Sequence, residues 1–380
     1  MTTGTAQAAV EPDAFASLVQ KMEAERDRLP DFSTLAVFTY KGALTTQMVP
    51  TPFSRTALPQ MLSALFGPRK QDTVFSLTAT PEGDFLILDV ALHASLFGGS
   101  GVSSGNDGIP APHTLPHWSC LYLHEASPDR TGAEVSGALS TLCERLAAAR
   151  VPVLNVCTLA RNFMLMREEV SQVALDTLRS AVEEGANHDG QAADGAGAGQ
   201  ILDGPPQKRQ HVGASGHVAS ALSGGSGVRI VVTPARVSIT VATISVADLK
   251  KCAHAILALF VLPQGGARPT FQHLFEMGGE VSLAFEDAAL RSLHDTEPAS
   301  AAALEEAIAP TVVRGWRVLD VTAPAGGDSV GILSAVTVPL ASVPLLNVST
   351  LEHSYVLVQE ADLDVALARL KTSFDVIDAS

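Results

Sequence analysis

The chain has 380 residues, 46% hydrophobic and 17% charged, with 25 basic against 40 acidic side chains for a net charge of −15. That balance argues against a long nucleic-acid duplex or an anionic membrane surface as primary partner, because both are bound through basic patches. Four cysteines (Cys120, Cys143, Cys157, Cys252) without CxxC spacing are too sparse for a disulfide scaffold. No run approaches the roughly 20 apolar residues of a membrane span, so a cytosolic address is expected.

The first residues are small and polar, followed by Glu11 and Asp13, which is not the charged-then-apolar order of a signal peptide. Residues 1–33 read as a tail and helix, and the first folded unit as 34–97. In it Leu35 to Tyr40 has strand character and Ala57 to Phe66 helix character. Val74 to Thr78 and Phe85 to Asp89 form a hairpin around Pro81-Glu-Gly-Asp84. The Gly/Ser-rich stretch that follows is a connector, 98–116.

The second unit, 117–182, opens on a Trp-led strand, 118–124. Its helix, Gly132 to Arg150, spaces Val135, Leu139, Leu142, Cys143 and Leu146 at threes and fours. Strands at 153–158 and 163–167 come next, and Glu168-Glu169 opens a last helix, where the helix dipole favours acids. Residues 183–227 are rich in Gly, Ala, Ser and Asp and bury too little apolar surface to offset chain entropy, so they are expected to be a disordered linker.

The third unit, 228–297, has a strand at 237–244 and a helix at 248–259. A hairpin follows, 271–277 with 280–284, around Gly278-Gly279. A connector, 298–314, leads to the fourth unit, 315–375, with strands at 316–321, 345–350 and 355–358. Glu360 and Asp362 begin its last helix.

The second and fourth units are copies of one another. Val151-Pro-Val-Leu-Asn-Val-Cys-Thr-Leu159 and Val343-Pro-Leu-Leu-Asn-Val-Ser-Thr-Leu351 agree at seven of nine positions, 192 residues apart. Trp118 and Trp316 lead matching strands, each followed by an Asp-x-x-Gly turn (Asp129 to Gly132, Asp328 to Gly331). The duplication defines an α+β chain of four ferredoxin-like βαββα units in two tandem pairs, with helices covering antiparallel sheets.

No paired catalytic set stands out, so a stand-alone enzyme is not expected. There is no G-x-S-x-G elbow, and the Gly-rich tracts lack the GKS/GKT ending of a phosphate loop. His113, His117 and His124 cluster without the further ligands of a metal frame, and neither metal nor cofactor is expected. Cys120 and Cys157 fall on strands of one sheet, close enough in the expected order to approach one another.

Units of this order, with the Asp-x-x-Gly turn, the later Leu-Asn-Val and a closing Glu, resemble ACT domains, which bind amino acids. The whole order over about 34–372, linker excepted, resembles the CASTOR family of cytosolic arginine sensors, which carry four ACT domains in two tandem pairs. The segments carrying this are Val74 to Glu82, Val151 to Glu169, Gly331 to Leu340 and Ser349-Thr350 followed by Val356-Leu-Val358.

The resemblance implies a ligand held between the second and fourth units. Pro152 and Val153 supply one side of it. The turn Gly326, Gly327, Asp328, Val330, Gly331 and Ile332 supplies another, and Thr350, Leu351, Glu352 and Ser354 close the site. It further implies a non-enzymatic amino-acid sensor signalling to TOR complex 1 through a regulatory protein complex, and homodimerisation through the first and third units. The family contacts its downstream complex through a polar loop that here reads Leu159-Ala-Arg-Asn162. Two positions depart from the family pattern: Pro152 stands for a carboxylate-binding Ser, and Ser354 for the Asp beneath the guanidinium. Arginine and a smaller or neutral amino acid are both candidate ligands. A ligand-blind scaffold and a regulatory subunit of a biosynthetic enzyme are the alternatives.

Overall fold

The computed structural model describes residues 35–49, 57–67, 73–97, 116–125, 132–159, 161–193, 228–261, 268–322 and 330–378. The first unit comprises β1 (Leu35–Thr39), β2 (Leu44–Val49), α1 (Ala57–Phe66), β3 (Phe75–Ala79), β4 (Asp84–Asp89) and α2 (Val90–Phe97). The second comprises β5 (His117–Glu125), α3 (Gly132–Ala148), β6 (Leu154–Cys157), β7 (Arg161–Arg167) and α4 (Ser171–Ala193). The third has β8 (Arg229–Val232), β9 (Ile239–Ser245), α5 (Val246–Lys251), α6 (Ala253–Phe260), β10 (Gln272–Met277), β11 (Glu280–Glu286) and α7 (Asp287–Thr296). Helix α8 (Pro298–Ile308) precedes the fourth unit. That unit has β12 (Val313–Thr322), α9 (Ile332–Thr337), β13 (Leu345–Ser349), β14 (His353–Gln359), α10 (Leu363–Leu370) and β15 (Asp375–Asp378).

Local signals account for most boundaries. Ser245 caps α5 by accepting the Asp248 backbone N–H, and Pro298 stands in the first turn of α8. Gly278 and Gly279 make the β10–β11 reversal with φ of 66° and 86°, the positive values such a two-residue turn requires. The acidic starts at Glu168 and Glu360 are single 3₁₀ turns that lead into α4 and α10.

Several expectations are corrected. The 298–314 connector contains α8, whose Ala301, Leu304 and Ile308 are buried. Helix α4 runs on to Ala193, past the expected linker start at 183; residues 194–227 lie outside the described residues, as do 1–33 and most of 98–116. Strands β2 and β8 were not foreseen, and β15 lies beyond the last expected helix. Cys120 and Cys157 face opposite sides of the sheet, Cys120 in one core and Cys157 in another.

The units are not four separate sheets. Among the described residues their strands join edge to edge in the order β14-β13-β6-β7-β5-β2-β4-β3-β10-β11-β9-β12, and β12 pairs back onto β14. The result is a closed ring of twelve strands, with β1 pairing beside it on β5 and β8 on β12. A parallel β15 covers β8. Equivalent strands of the two halves pair with each other at two places, β3 with β10 and β6 with β13. In the second, Val156 lies opposite Val348, its own repeat equivalent 192 residues on, as a two-fold axis through that pair demands. Units 1 and 3, through which the resemblance implies a homodimer, thus meet edge to edge within the chain.

Helices cover the outer face of the ring, where two cores form across the halves. One unites units 2 and 4 around Leu142, Met164, Met166, Leu319, Val336 and Val356. The other unites units 1 and 3 around Phe75, Leu77, Leu86, Ile256 and Phe285. Packing therefore couples 2 with 4 and 1 with 3, beyond the tandem pairing read from chain order. On the inner face a row of rings runs Phe38, Tyr122, Phe163, Phe275, His273, Phe271, Tyr355, His353, with successive centroids 4.5–6.5 Å apart. Each fully buried large side chain contributes roughly 1.5–3 kcal/mol, so closure is apolar on both faces. His273 lies within this row, bonded to Thr78 at 2.9 Å across the β3–β10 pair; burial drives its pKa down to about 3, keeping it neutral.

Candidate functional site

Where β6 enters the sheet beside the β13–β14 reversal, a recess of about 410 Å³ opens between units 2 and 4. Unit 2 supplies Val153 and Leu154. Unit 4 supplies Val321 from β12, Ile332 and Leu333 from α9, and the reversal from Ser349 to Ser354. Six of the expected residues (Val153, Ile332, Thr350, Leu351, Glu352 and Ser354) are brought together here from three distant stretches of chain. Pro152 is half-buried and is not among the lining residues. Gly331, at φ 85°, stands immediately before α9, and with Cys143, Val151 and Ser334 it lines an adjoining recess of about 250 Å³ that shares Val153 and Leu333. Val330 precedes it; Gly326, Gly327 and Asp328 lie outside the described residues.

Hydrogen bonds fix the reversal. The Thr350 hydroxyl accepts the His353 backbone N–H at 3.1 Å and donates to the His353 carbonyl. The Ser354 hydroxyl donates to Asn347 Oδ1 at 2.7 Å, and Asn347 Nδ2 donates to Ser349 Oγ at 3.1 Å and to Asn155 Oδ1 at 3.3 Å. Asn155 and Asn347 are repeat equivalents, so this buried bond crosses the two-fold. Asn155 Oδ1 and Asn162 Oδ1 also accept from the Cys157 thiol. Burial pushes the Cys157 thiol up to about 12 and Cys143 higher still, which makes both inert hydrogen-bonding groups rather than nucleophiles.

Strand alternation decides what else reaches the recess. On β14, Ser354 and Val356 face outward, whereas His353 and Tyr355 face inward, their rings stacked at 5.7 Å. His353 Nδ1 lies 2.8 Å from Asp320 Oδ1 on the inner face. That bond, aided by the charges of Asp320, Glu82 and Glu352, raises the His353 pKa against the effect of burial. Desolvation pushes the Tyr355 hydroxyl up. His353 therefore bounds the recess as part of the reversal while its imidazole serves the inner face.

Sequence reasoning missed Leu154, Val321 and Ser349, while Leu333 and His353 fall inside the expected turn and closing segment without being singled out. The aliphatic ones carry no signal distinguishing a site wall from core. Ser349 adjoins the expected Thr350, and its place opposite Ser354 in the β13–β14 register was the available clue. Of the three histidines weighed for metal, His117 contacts Glu168 at 3.7 Å on the surface, and among the described residues no group of three or more His, Cys, Asp or Glu is placed to hold an ion. No described helix is long and apolar enough to cross a membrane.

A sequence family described as "ACT domain" matches residues 311–372. The match falls on the last unit, the unit that supplies most of the recess. A comparison with curated proteins gives no match. Among solved structures, similarity is found to an aspartate kinase from Synechocystis, at 8% identity and a TM-score of 0.30, covering 91% of this chain and 56% of that one. An aspartate kinase from Clostridium acetobutylicum is similar at 16% identity and a TM-score of 0.28 over 37% of this chain and 33% of that one. A protein from Agrobacterium tumefaciens is similar at 18% identity and a TM-score of 0.29, over 40% and 94%. The chain spans little more than half of the Synechocystis kinase, and at these TM-scores the likeness assigns neither fold nor function.

Proposed function

We propose that this chain is a non-enzymatic regulatory protein whose recess between units 2 and 4 takes a free amino acid. The observation that carries the reading is the convergence of Val153, Ile332 and the Thr350–Ser354 reversal on one recess. Because its walls belong to both halves, a ligand contacting them favours the arrangement in which units 2 and 4 are held together and shifts the population toward it. Following the CASTOR resemblance, that shift is read by a regulatory protein complex of the TOR pathway, and the chain acts in the cytosol. The ACT-domain match at 311–372 supports the amino-acid part of this reading; the signalling partner rests on the resemblance alone.

A thermal-shift screen of the purified chain against the twenty amino acids at millimolar concentration tests it. A ligand bound only by the folded state adds about 2.7 kcal/mol of stability at a hundred times its dissociation constant. A selective rise in melting temperature is expected. A flat panel overturns the proposal in favour of a ligand-blind scaffold.

A further inference from the structure

We infer that the ligand of this recess is an amino acid with an uncharged, branched aliphatic side chain, an inference that rests on the reading just given. Four aliphatic side chains of the outer-face core, Val153, Val321, Ile332 and Leu333, line the recess together with the more exposed Leu351, while Leu154 bounds it as part of β6 with its side chain in the inner-face core. Among the described residues the lining includes no basic side chain other than His353, whose imidazole is turned to the inner face and paired with Asp320.

The polar groups that remain are already engaged. Ser354 donates to Asn347, Ser349 accepts from Asn347, and Thr350 is bonded to the His353 backbone. Among the described residues, the one carboxylate in the lining is Glu352, which is exposed at the mouth. Among the described residues no buried carboxylate is placed to receive a guanidinium or ammonium carried into the recess, which would be an uncompensated desolvation. A carboxylate side chain would likewise find no buried cation among them. A branched hydrocarbon meets aliphatic walls and displaces no hydrogen bond of the reversal, which makes it the side-chain class the walls favour. Glu352 at the mouth suits the ligand's α-ammonium, leaving the hydrocarbon to point inward.

Isothermal titration of the full chain with leucine, isoleucine and valine, against arginine, lysine and glutamate, tests this. At least one branched aliphatic amino acid is expected to bind tenfold or more tightly than arginine. Ser354→Asp, which places a carboxylate in the wall beside Asn347, should narrow or reverse that ratio by at least tenfold. Ile332→Asp, checked for native circular dichroism, should weaken aliphatic binding by at least tenfold. If arginine or lysine binds the unaltered chain as tightly as the aliphatic set, the side-chain inference fails while the amino-acid reading stands. If none of the six binds and the twenty-member thermal screen is also flat, the amino-acid reading itself fails.

Discussion

The two reversals related by the internal two-fold, Thr158–Asn162 and Thr350–Ser354, began as the same sequence and have come to differ in what they hold. Each keeps a threonine whose hydroxyl closes the turn, accepting the backbone N–H of Arg161 at 3.0 Å in one and of His353 at 3.1 Å in the other. On the outer face, Cys157 and Asn162 of the first correspond to Ser349 and Ser354 of the second. Cys157 and Asn162 bond each other at 2.6 Å, whereas the two smaller serines stand beside the 410 Å³ recess. On the inner face Arg161 reaches Glu280 of unit 3 at 3.4 Å, with Glu280 half exposed, while His353 is held by Asp320 at 2.8 Å with neither side chain more than a quarter exposed. Duplication supplied the frame twice, and the side chains at these positions now distinguish the two copies.

The largest expected effect falls where the copies meet. Asn347→Ala removes the partner of Ser349, Ser354 and the cross-axis bond to Asn155. A loss of about 3 kcal/mol is expected by urea unfolding, from roughly 1–3 kcal/mol per polar group left without a partner. A loss under about 1 kcal/mol would show that water replaces Asn347 freely. Next, Ser354→Asn gives the second reversal the residue of the first. Amino-acid binding should weaken at least tenfold by calorimetry, about 1.4 kcal/mol by the usual conversion, with stability changed by less. Unchanged binding would mean that the volume difference between the reversals does not control the recess.

Asp320→Asn should cost about 1 kcal/mol at pH 6, because it removes a partly buried ionic partner. It should also alter the pH dependence. His353 has a folded pKa raised above 6.5 by Asp320, so its stabilisation is fully present below pH 6.5 and is lost as pH rises through the raised value. Urea midpoints between pH 6 and 8.5 should fall with pH in the unaltered chain and fall less in Asp320→Asn; parallel curves would contradict this. The smallest effect is Glu280→Gln, expected to change stability by no more than about 0.5 kcal/mol, since Glu280 is half exposed and its longer, 3.4 Å contact is screened by water and salt. A cost equal to that of Asp320→Asn would erase the contrast between the two inner-face pairs.

The residues show unevenly which parts of this were legible. The β13–β14 and β6–β7 strands, α3 and the Gly278-Gly279 turn follow from local patterns, because alternation, three-four spacing and glycine act over a few residues. Strand β2 hides behind Lys41-Gly42 after a strand already found, and α8 is read as a connector because its alanines carry little periodic contrast. Of the site, the Thr350–Ser354 reversal was visible through its likeness to Thr158–Asn162. Val321 was not, since an aliphatic side chain beside a cavity is chemically the same as one in the core.

By itself, then, the sequence determined the repeat and its 192-residue offset, for these rest on short-range chemistry written twice. Tertiary structure decided that equivalent strands of the two halves would pair with one another and close a ring. It also decided which face each side chain would serve: Ser354 turns to the recess and its neighbour His353 to Asp320 on the other side. The physical reason is that edge pairing and face assignment are fixed by burial of two apolar faces across partners nearly two hundred residues apart, as Val156 and Val348 are, and no local pattern encodes which partner a strand will meet.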